Sequence, residues 1–170
     1  MKNLKALTTI TFLSIALISC IAFAPKKKYK VTGVVTETAD YCGGARPPKK
    51  LEEQLRTPKP LASKKLIVRK GNSNSQKNKI VAEITTNDEG KFELDLPAGT
   101  YSFVSEEKTK LVIPANDKFN TYDAECLKKE FAKPDGLLTV KDGENKIEIN
   151  IHKHCSYKKP CLTFTGPKPQ

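Results

Sequence analysis

The strongest constraint on the fold is a strict alternation of apolar and polar residues over positions 91–96. Phe92, Leu94 and Leu96 fall on one side of an extended chain, and the charged residues between them fall on the other side. Turn-forming sequences flank this segment at positions 87–90 and 97–99. Alternation bounded by turns is typical of short strands in a half-buried sheet, so the chain is predicted to fold as a sheet protein.

The same pattern recurs along the chain. It predicts strands at 29–38, 64–70 and 79–86, a strand through Tyr101 and Phe103, and a strand beginning at Leu111 and Ile113. Near the C-terminus, segments 138–140 and 147–151 around the turn at 142–145 predict a hairpin. We therefore predict an all-β sandwich of about seven short strands. Helical pattern is confined to 50–56 and 123–132, which we expect to lie across the loops.

Three short motifs stand within these segments. They are Val31-x-Gly33-x-Val35, Asp88-x-Gly90-x-Phe92 and Pro97-x-Gly99-x-Tyr101. Together they resemble the carboxypeptidase regulatory-like domain, a transthyretin-type (prealbumin-like) β-sandwich, although the acidic turn is one residue tighter than that family's usual spacing. The resemblance covers residues 29–115 well and 137–152 loosely. It implies a single sandwich and says little about activity, because such domains mostly accompany, stabilise or present other modules.

Two features depart from that family pattern. The connection over residues 42–62 is much longer than the family's usual first connection, and a cysteine-bearing tail begins at Cys155. Both features resemble small lipoproteins of the Bacteroidetes group. We expect a signal peptide at 1–19, a lipidated tether at 20–28, the sandwich at 29–155 and a disulfide-tied tail at 156–170. The long connection is the expected contact surface.

The N-terminus has the pattern of an export signal. Lys2 and Lys5 precede an apolar stretch over residues 6–18, which is shorter than the roughly 20 residues that a membrane-spanning helix needs. Leu17-Ile18-Ser19-Cys20 then resembles the lipobox of bacterial lipoproteins. That resemblance implies a diacylglycerol on the Cys20 thiol and acylation of the new amino terminus. Ordinary cleavage after Ala24 with soluble secretion is the alternative, although Pro25 would then follow the cut.

The charge balance bears on partners. The formal net charge is +11, and removal of residues 1–19 takes away two lysines and leaves +9. The lysines at 26–28 would lie next to anionic lipid headgroups. There is no basic recognition helix or aromatic stacking strip, so no nucleic-acid partner is expected. We expect two partners: the membrane, through the lipid anchor, and an envelope protein or glycan. We expect the protein at the periplasmic or cell-surface face of a bacterial membrane, and we favour the outer membrane.

Four cysteines remain once Cys20 is set aside. An oxidising compartment predicts that Cys42, Cys126, Cys155 and Cys161 form two disulfides. Three pairings are possible, and the sequence does not select among them. We favour Cys155 with Cys161, which closes a short loop, and Cys42 with Cys126. A zinc site is the alternative, but the chain has no Cys-x-x-Cys pair.

His152 and His154 are the only histidines. If Ile147, Ile149 and Ile151 face the core, both histidines project from the outer face of one strand, where they could share a copper or zinc ion. A third ligand would be needed, because Cys155 points to the other face. Two solvated surface histidines are the simpler interpretation. We therefore assign no metal and no other cofactor from the sequence, and we keep metal handling as an alternative function.

Catalytic patterns are missing from the sequence. There is no nucleophile elbow, and the adjacent carboxylates at 52–53 and 106–107 point apart on a strand or helix. The sequence therefore predicts a lipid-anchored envelope protein that is not an enzyme and whose β-sandwich is a binding or structural module. A small envelope hydrolase is a remote further alternative.

Overall fold

The computed structural model describes residues 26–167 of the chain. Within this range the chain forms ten strands, two α-helices and one short 3-10 helix, Glu106–Lys108. The strands are β1 (Lys28–Ala39), β2 (Lys59–Pro60), β3 (Lys65–Lys70), β4 (Ile80–Thr85), β5 (Lys91–Pro97), β6 (Gly99–Ser105), β7 (Asn120–Tyr122), β8 (Gly136–Val140), β9 (Asn145–Lys153) and β10 (Leu162–Phe164). The first helix is Lys49–Arg56 and the second helix is Ala124–Ala132.

Two four-stranded sheets pack face to face. In the first sheet β1 is central, with β9 parallel to it on one side and β5 and β2 antiparallel to its two halves on the other side. The second sheet has the order β4-β3-β6-β8, and all its neighbours are antiparallel. Strands β7 and β10 form a separate ribbon. The prediction of an all-β sandwich with short helices in the loops and two disulfides is confirmed.

The core lies between the two sheets and consists of the inward residues of the alternating segments. Phe92 of β5 meets Phe103 of β6 across the sandwich, with ring centroids 5.7 Å apart. Full burial of each large apolar side chain contributes about 1.5–3 kcal/mol, so this layer holds the two sheets together. The other buried members are Val31, Val35, Leu66, Val68, Leu96, Tyr101, Val140, Ile147 and Ile149.

The glycine of the first motif makes room for an aromatic ring. Gly33 lies directly opposite Phe92 in the β1–β5 ladder. A Cβ atom at position 33 would lie 2.2 Å from Cζ of Phe92. The glycine therefore lets the ring cross the strand between Val31 and Val35, both of which are fully buried.

The two turns around β5 have specific hydrogen bonds. Asn87 anchors the first turn, because its Oδ1 accepts from the backbone N–H groups of Glu89 and Lys91, whereas Asp88 is exposed. Gly90 completes this turn at φ +72°. At the second turn, the Tyr101 hydroxyl donates to the carbonyl of Pro97 at 2.8 Å, and burial raises the pKa of Tyr101. The ring of Tyr101 lies against Gly99.

One predicted strand pairing and one predicted strand are wrong. Segments 138–140 and 147–151 are strands, but β8 pairs with β6 and β9 pairs with β1, so they belong to different sheets and form no hairpin. Buried Asn145 shapes the turn between them, since its side chain bonds the backbone of Lys141 and Gly143. The turn therefore crosses from one sheet to the other.

The second wrong assignment concerns Leu111 and Ile113. Residues 110–117 form no regular structure, and Val112 has 71% of its surface exposed. Pro114 has no N–H to donate to a sheet ladder, which disfavours a paired strand here. Leu111 and Val112 instead line a groove of about 560 Å³ next to Leu127 and Phe131.

The disulfide pairing differs from the one we favoured. Cys42 is bonded to Cys155 and Cys126 to Cys161. The reason is the parallel pairing of β1 with β9, which places Cys42 and Cys155 together just beyond the ends of these strands. The second disulfide ties the C-terminal tail to the second helix. Among residues 26–167, no helix has the length and apolar character needed to cross a membrane.

Candidate functional site

The candidate site lies at one edge of the first sheet. Because β1 and β9 run parallel, their carboxyl ends meet at the same edge, with Ala39 opposite Lys153. Asp40 directly follows β1, His152 lies near the end of β9, and His154 directly follows β9. The backbone N–H of Asp40 donates to the carbonyl of Lys153 at 2.9 Å, which fixes the two chain ends relative to each other.

Asp40 contacts both histidines. Its Oδ1 lies 3.2 Å from Nε2 of His152, and its Oδ2 lies 3.3 Å from Nδ1 of His154. The two imidazole rings meet edge to face, with centroids 4.6 Å apart. One ligand atom from each of the three side chains can be chosen so that all three lie within 4.8 Å of one another. The structure thus brings a third side chain with a ligand atom, Asp40, next to the two histidines.

The environment of Asp40 favours its charged form. Burial is the largest single influence and would raise its pKa, but hydrogen bonds from His152, His154 and the Cys155 backbone N–H outweigh it. The pKa of Asp40 is therefore below its ordinary value. About a quarter (26%) of the Asp40 side chain is exposed, so the carboxylate lies at the rim of the fold.

A chain of hydrogen bonds orients His152. The Asn150 amide donates to the Thr36 hydroxyl, and its carbonyl oxygen accepts from the Thr38 hydroxyl at 2.9 Å. The single hydrogen of the Thr38 hydroxyl is then used, so this oxygen accepts from Nδ1–H of His152, 2.9 Å away. Nε2 of His152 consequently faces Asp40.

This geometry disfavours a catalytic role for Thr38. A hydroxyl nucleophile must give its proton to a neighbouring base. Thr38 instead donates to Asn150 and accepts from His152. The line of Thr38, His152 and Asp40 therefore holds the imidazole in place.

A cleft of about 510 Å³ opens beside Asp40 and His152. The connection after β1, the first helix and Lys158 of the tail line it. The Cys42–Cys155 disulfide and a hydrogen bond from the Tyr157 hydroxyl to the Cys42 carbonyl hold this connection against the tail. The wall residues of the connection and helix are Tyr41, Gly43, Gly44, Ala45, Arg46, Pro47, Glu52, Leu55 and Arg56.

The sequence around the cleft explains its shape. The Tyr41 ring packs against Gly43, where a Cβ atom would lie 2.2 Å from the Tyr41 hydroxyl oxygen. Pro48 precedes the first helix, and its carbonyl accepts from the N–H groups of Leu51 and Glu52. Arg56 pairs with Glu52 at 2.7 Å within the helix, which leaves Arg46 and Lys158 as further positive groups of the cleft wall.

The connection over residues 42–62 forms part of the cleft wall, and the other residues singled out from the sequence lie elsewhere. Cys20 lies outside the described residues. Cys126 and Cys161 form a disulfide beside the second helix, and the three fold motifs line the core and its turns. Sequence reasoning missed Asp40 and Thr38, because their closeness to the histidines depends on the pairing of β1 with β9.

Comparisons with known proteins give no family. No protein-family model and no curated protein matches the chain. Among solved structures, the shaft pilin SpaA from Lactobacillus rhamnosus GG is similar over 76% of this chain and 52% of the pilin, at 15% identity and a TM-score of 0.39. Its N-terminal domain is similar over 84% of this chain and 100% of that domain, at 14% identity and a TM-score of 0.36. The chain thus spans about half the length of the pilin, and a likeness at this level says nothing of function.

Proposed function

We propose that this chain is a lipid-anchored envelope protein whose β-sandwich, of the carboxypeptidase regulatory-like type, is a non-catalytic binding module. The cleft over Asp40 and His152 is its binding site. The anchor is the acylated Cys20, and the body stands at the periplasmic or cell-surface face of a bacterial membrane. The partner is an envelope protein or glycan.

The observation that carries this proposal is the placement of the long connection after β1. β1 and β2 are antiparallel neighbours, which a short turn can join. Their connection instead contains a helix and a disulfide-bonded cysteine, and it lines a cleft. Segments that extend beyond what the core requires and that are held rigidly are where binding residues concentrate. The positive Arg46 and Lys158 of the wall suit a partner with anionic groups.

The cleft is tested by photo-crosslinking in intact cells. A photoreactive phenylalanine analogue replaces Arg46 in the cleft, and in a control chain it replaces Glu144 in the β8–β9 turn, at the opposite end of β9. We expect a discrete crosslinked product from position 46 and none from position 144. Sensitivity of the product to protease or to glycosidase then distinguishes a protein partner from a glycan.

A matched pair of charge reversals checks that the product depends on the cleft. Lys158→Glu changes the cleft wall, and Lys146→Glu makes the same change on β9 near its other end. Lys158→Glu should reduce the product from position 46, and Lys146→Glu should not. Equal yields from positions 46 and 144, or equal effects of the two reversals, would contradict a specific site in the cleft.

The anchor is tested separately with Cys20→Ser. The unaltered chain should enter the membrane fraction and incorporate a labelled fatty acid, and Cys20→Ser should incorporate none. A mature protein that begins at Pro25 and carries no lipid would refute the anchor. That result would leave the cleft untouched, because the described sandwich begins after this position.

A further inference from the structure

We infer that Asp40, His152 and His154 form a site for a divalent first-row transition-metal ion of the zinc and copper class. This inference rests on the proposed function, because Asp40 and His152 line the cleft that we propose as the binding site. It adds metal binding to that cleft. The ligands are two imidazole nitrogens and one carboxylate, a donor set that such ions accept in proteins.

The first argument is the distance between ligand atoms. In a tetrahedral site with bonds of about 2.0–2.1 Å, neighbouring ligand atoms lie about 3.3 Å apart. Oδ1 of Asp40 lies 3.2 Å from His152, and Oδ2 lies 3.3 Å from His154. Each imidazole nitrogen therefore lies at ligand spacing from one carboxylate oxygen, and one atom from each of the three side chains lies within 4.8 Å of the other two.

The second argument is the orientation of His152. Its Nδ1 lies 2.9 Å from the Thr38 hydroxyl, so Nε2 is the ring nitrogen that faces Asp40, at 3.2 Å. A metal ion bound here would take the place of the proton that Nε2 shares with the carboxylate and would contact both atoms.

The third argument is the support behind the ligands. Metal-bound histidines usually donate their second ring N–H to an oxygen, which fixes the tautomer and the ring orientation. The chain of Thr36, Asn150 and Thr38 supplies this oxygen for His152. The backbone of Asp40 is fixed as well, because its N–H donates to the carbonyl of Lys153.

The protein leaves room for further ligands. Asp40 and His152 line the cleft, and the histidine side chains are 39% and 37% exposed. An ion with three protein ligands keeps an open coordination position. In this site that position can be taken by water or by a donor group of the partner.

The experiment uses the full chain, purified in detergent after treatment with a chelator. Zinc binding is measured by competition with a chromophoric chelator and by metal analysis after gel filtration, and copper(II) binding by electron paramagnetic resonance. We expect a single equivalent of zinc, with copper(II) bound more tightly than zinc. The copper spectrum should show nitrogen hyperfine coupling from imidazole.

Variants separate this site from nonspecific binding. His152→Ala, His154→Ala and Asp40→Asn should each weaken zinc binding at least tenfold. Thr38→Val should weaken it about tenfold, the usual scale for loss of a supporting hydrogen bond. The control is Glu37→Gln, which removes a carboxylate of the same strand that pairs with Lys153, and it should leave zinc binding unchanged. Circular dichroism of each variant verifies the fold.

Two results would overturn the inference. One is the absence of retained zinc and copper in the folded chain, and the other is binding that survives the His152→Ala and His154→Ala changes. Either result would leave the hydrogen bonds between Asp40 and the two histidines as the explanation of the geometry. The crosslink from position 46 reports on the binding module independently, so its loss with intact zinc binding would refute the module and spare the metal site.

Discussion

The two disulfides should contribute unequally to stability, and their difference follows from the chain topology. Cys42–Cys155 closes a loop with a sequence separation of 113, and Cys126–Cys161 closes one of 35. In the chain-entropy treatment, a cross-link destabilises the unfolded state more when the loop is longer. The expected contributions are about 5 kcal/mol for the long loop and about 4 kcal/mol for the short loop.

The experiment uses a chain that begins at Lys26, so that the expected signal peptide and lipid do not affect the unfolding measurement. Two double substitutions are compared in this chain. Cys42→Ala with Cys155→Ala removes the first disulfide, and Cys126→Ala with Cys161→Ala removes the second. The chain has five tyrosines and no tryptophan, so unfolding in urea is followed by tyrosine fluorescence and by far-ultraviolet circular dichroism. Each transition gives a free energy of unfolding by linear extrapolation.

We expect the first pair to lose about 1 kcal/mol more than the second, through loop entropy. Burial adds to this difference, because Cys155 is 2% exposed and its replacement also removes core contacts. A larger loss for the Cys126 and Cys161 pair would refute the reasoning from loop length. Peptide mapping without reduction provides the control, since it must recover peptides joined as Cys42–Cys155 and Cys126–Cys161.

Four further expectations follow from the structure. Gly33→Ala places a Cβ atom 2.2 Å from the Phe92 ring and should cost about 1–3 kcal/mol in urea unfolding, an effect that Phe92→Leu should partly relieve. Asn74→Ala removes a 1% exposed amide that donates to the carbonyls of Lys108 and Phe131, so the free energy of unfolding should fall by about 2–4 kcal/mol. A hydrogen bond from Lys64 lowers the pKa of Glu107. Glu107→Gln should therefore lower the free energy of unfolding by under about 1 kcal/mol at neutral pH. This loss should vanish as the pH falls through the carboxyl range, because a carboxylate with a lowered pKa stabilises the fold only while it is ionised. Loss of the Cys42–Cys155 disulfide should weaken zinc binding in the competition assay, and loss of Cys126–Cys161 should not.

The strands were predictable because burial on one face of a sheet imposes a period of two. The alternation of Phe92, Leu94 and Leu96 predicted β5, and the same reasoning located β1, β3, β4, β6, β8 and β9. Alternation does not say which strands pair. The segments on either side of residues 142–145 would have the same alternating pattern in a hairpin and in a connection between two sheets. The alternation therefore could not exclude the hairpin.

The site could be predicted only in part for the same reason. The outward face of β9 follows from its isoleucines, and this placed His152 and His154 together. Asp40 is far from the two histidines in the sequence. The nearby Cys42 and Cys155, which are bonded to each other, have a sequence separation of 113. Only the parallel pairing of β1 with β9 brings these residues to one edge, and a parallel pair leaves no short turn sequence to reveal it.

The disulfide and the proposed metal site have one topological cause. Parallel pairing of β1 and β9 ends both strands at the same edge, where Asp40 precedes Cys42 by two positions and His154 precedes Cys155 by one. The Cys42–Cys155 bond therefore fixes the carboxylate beside the imidazoles before any ion arrives. Binding then requires little ordering of the chain, and ordering is a large part of the cost of assembling a site from distant segments. The bond that most restricts the unfolded chain should thus also be the one on which metal affinity depends.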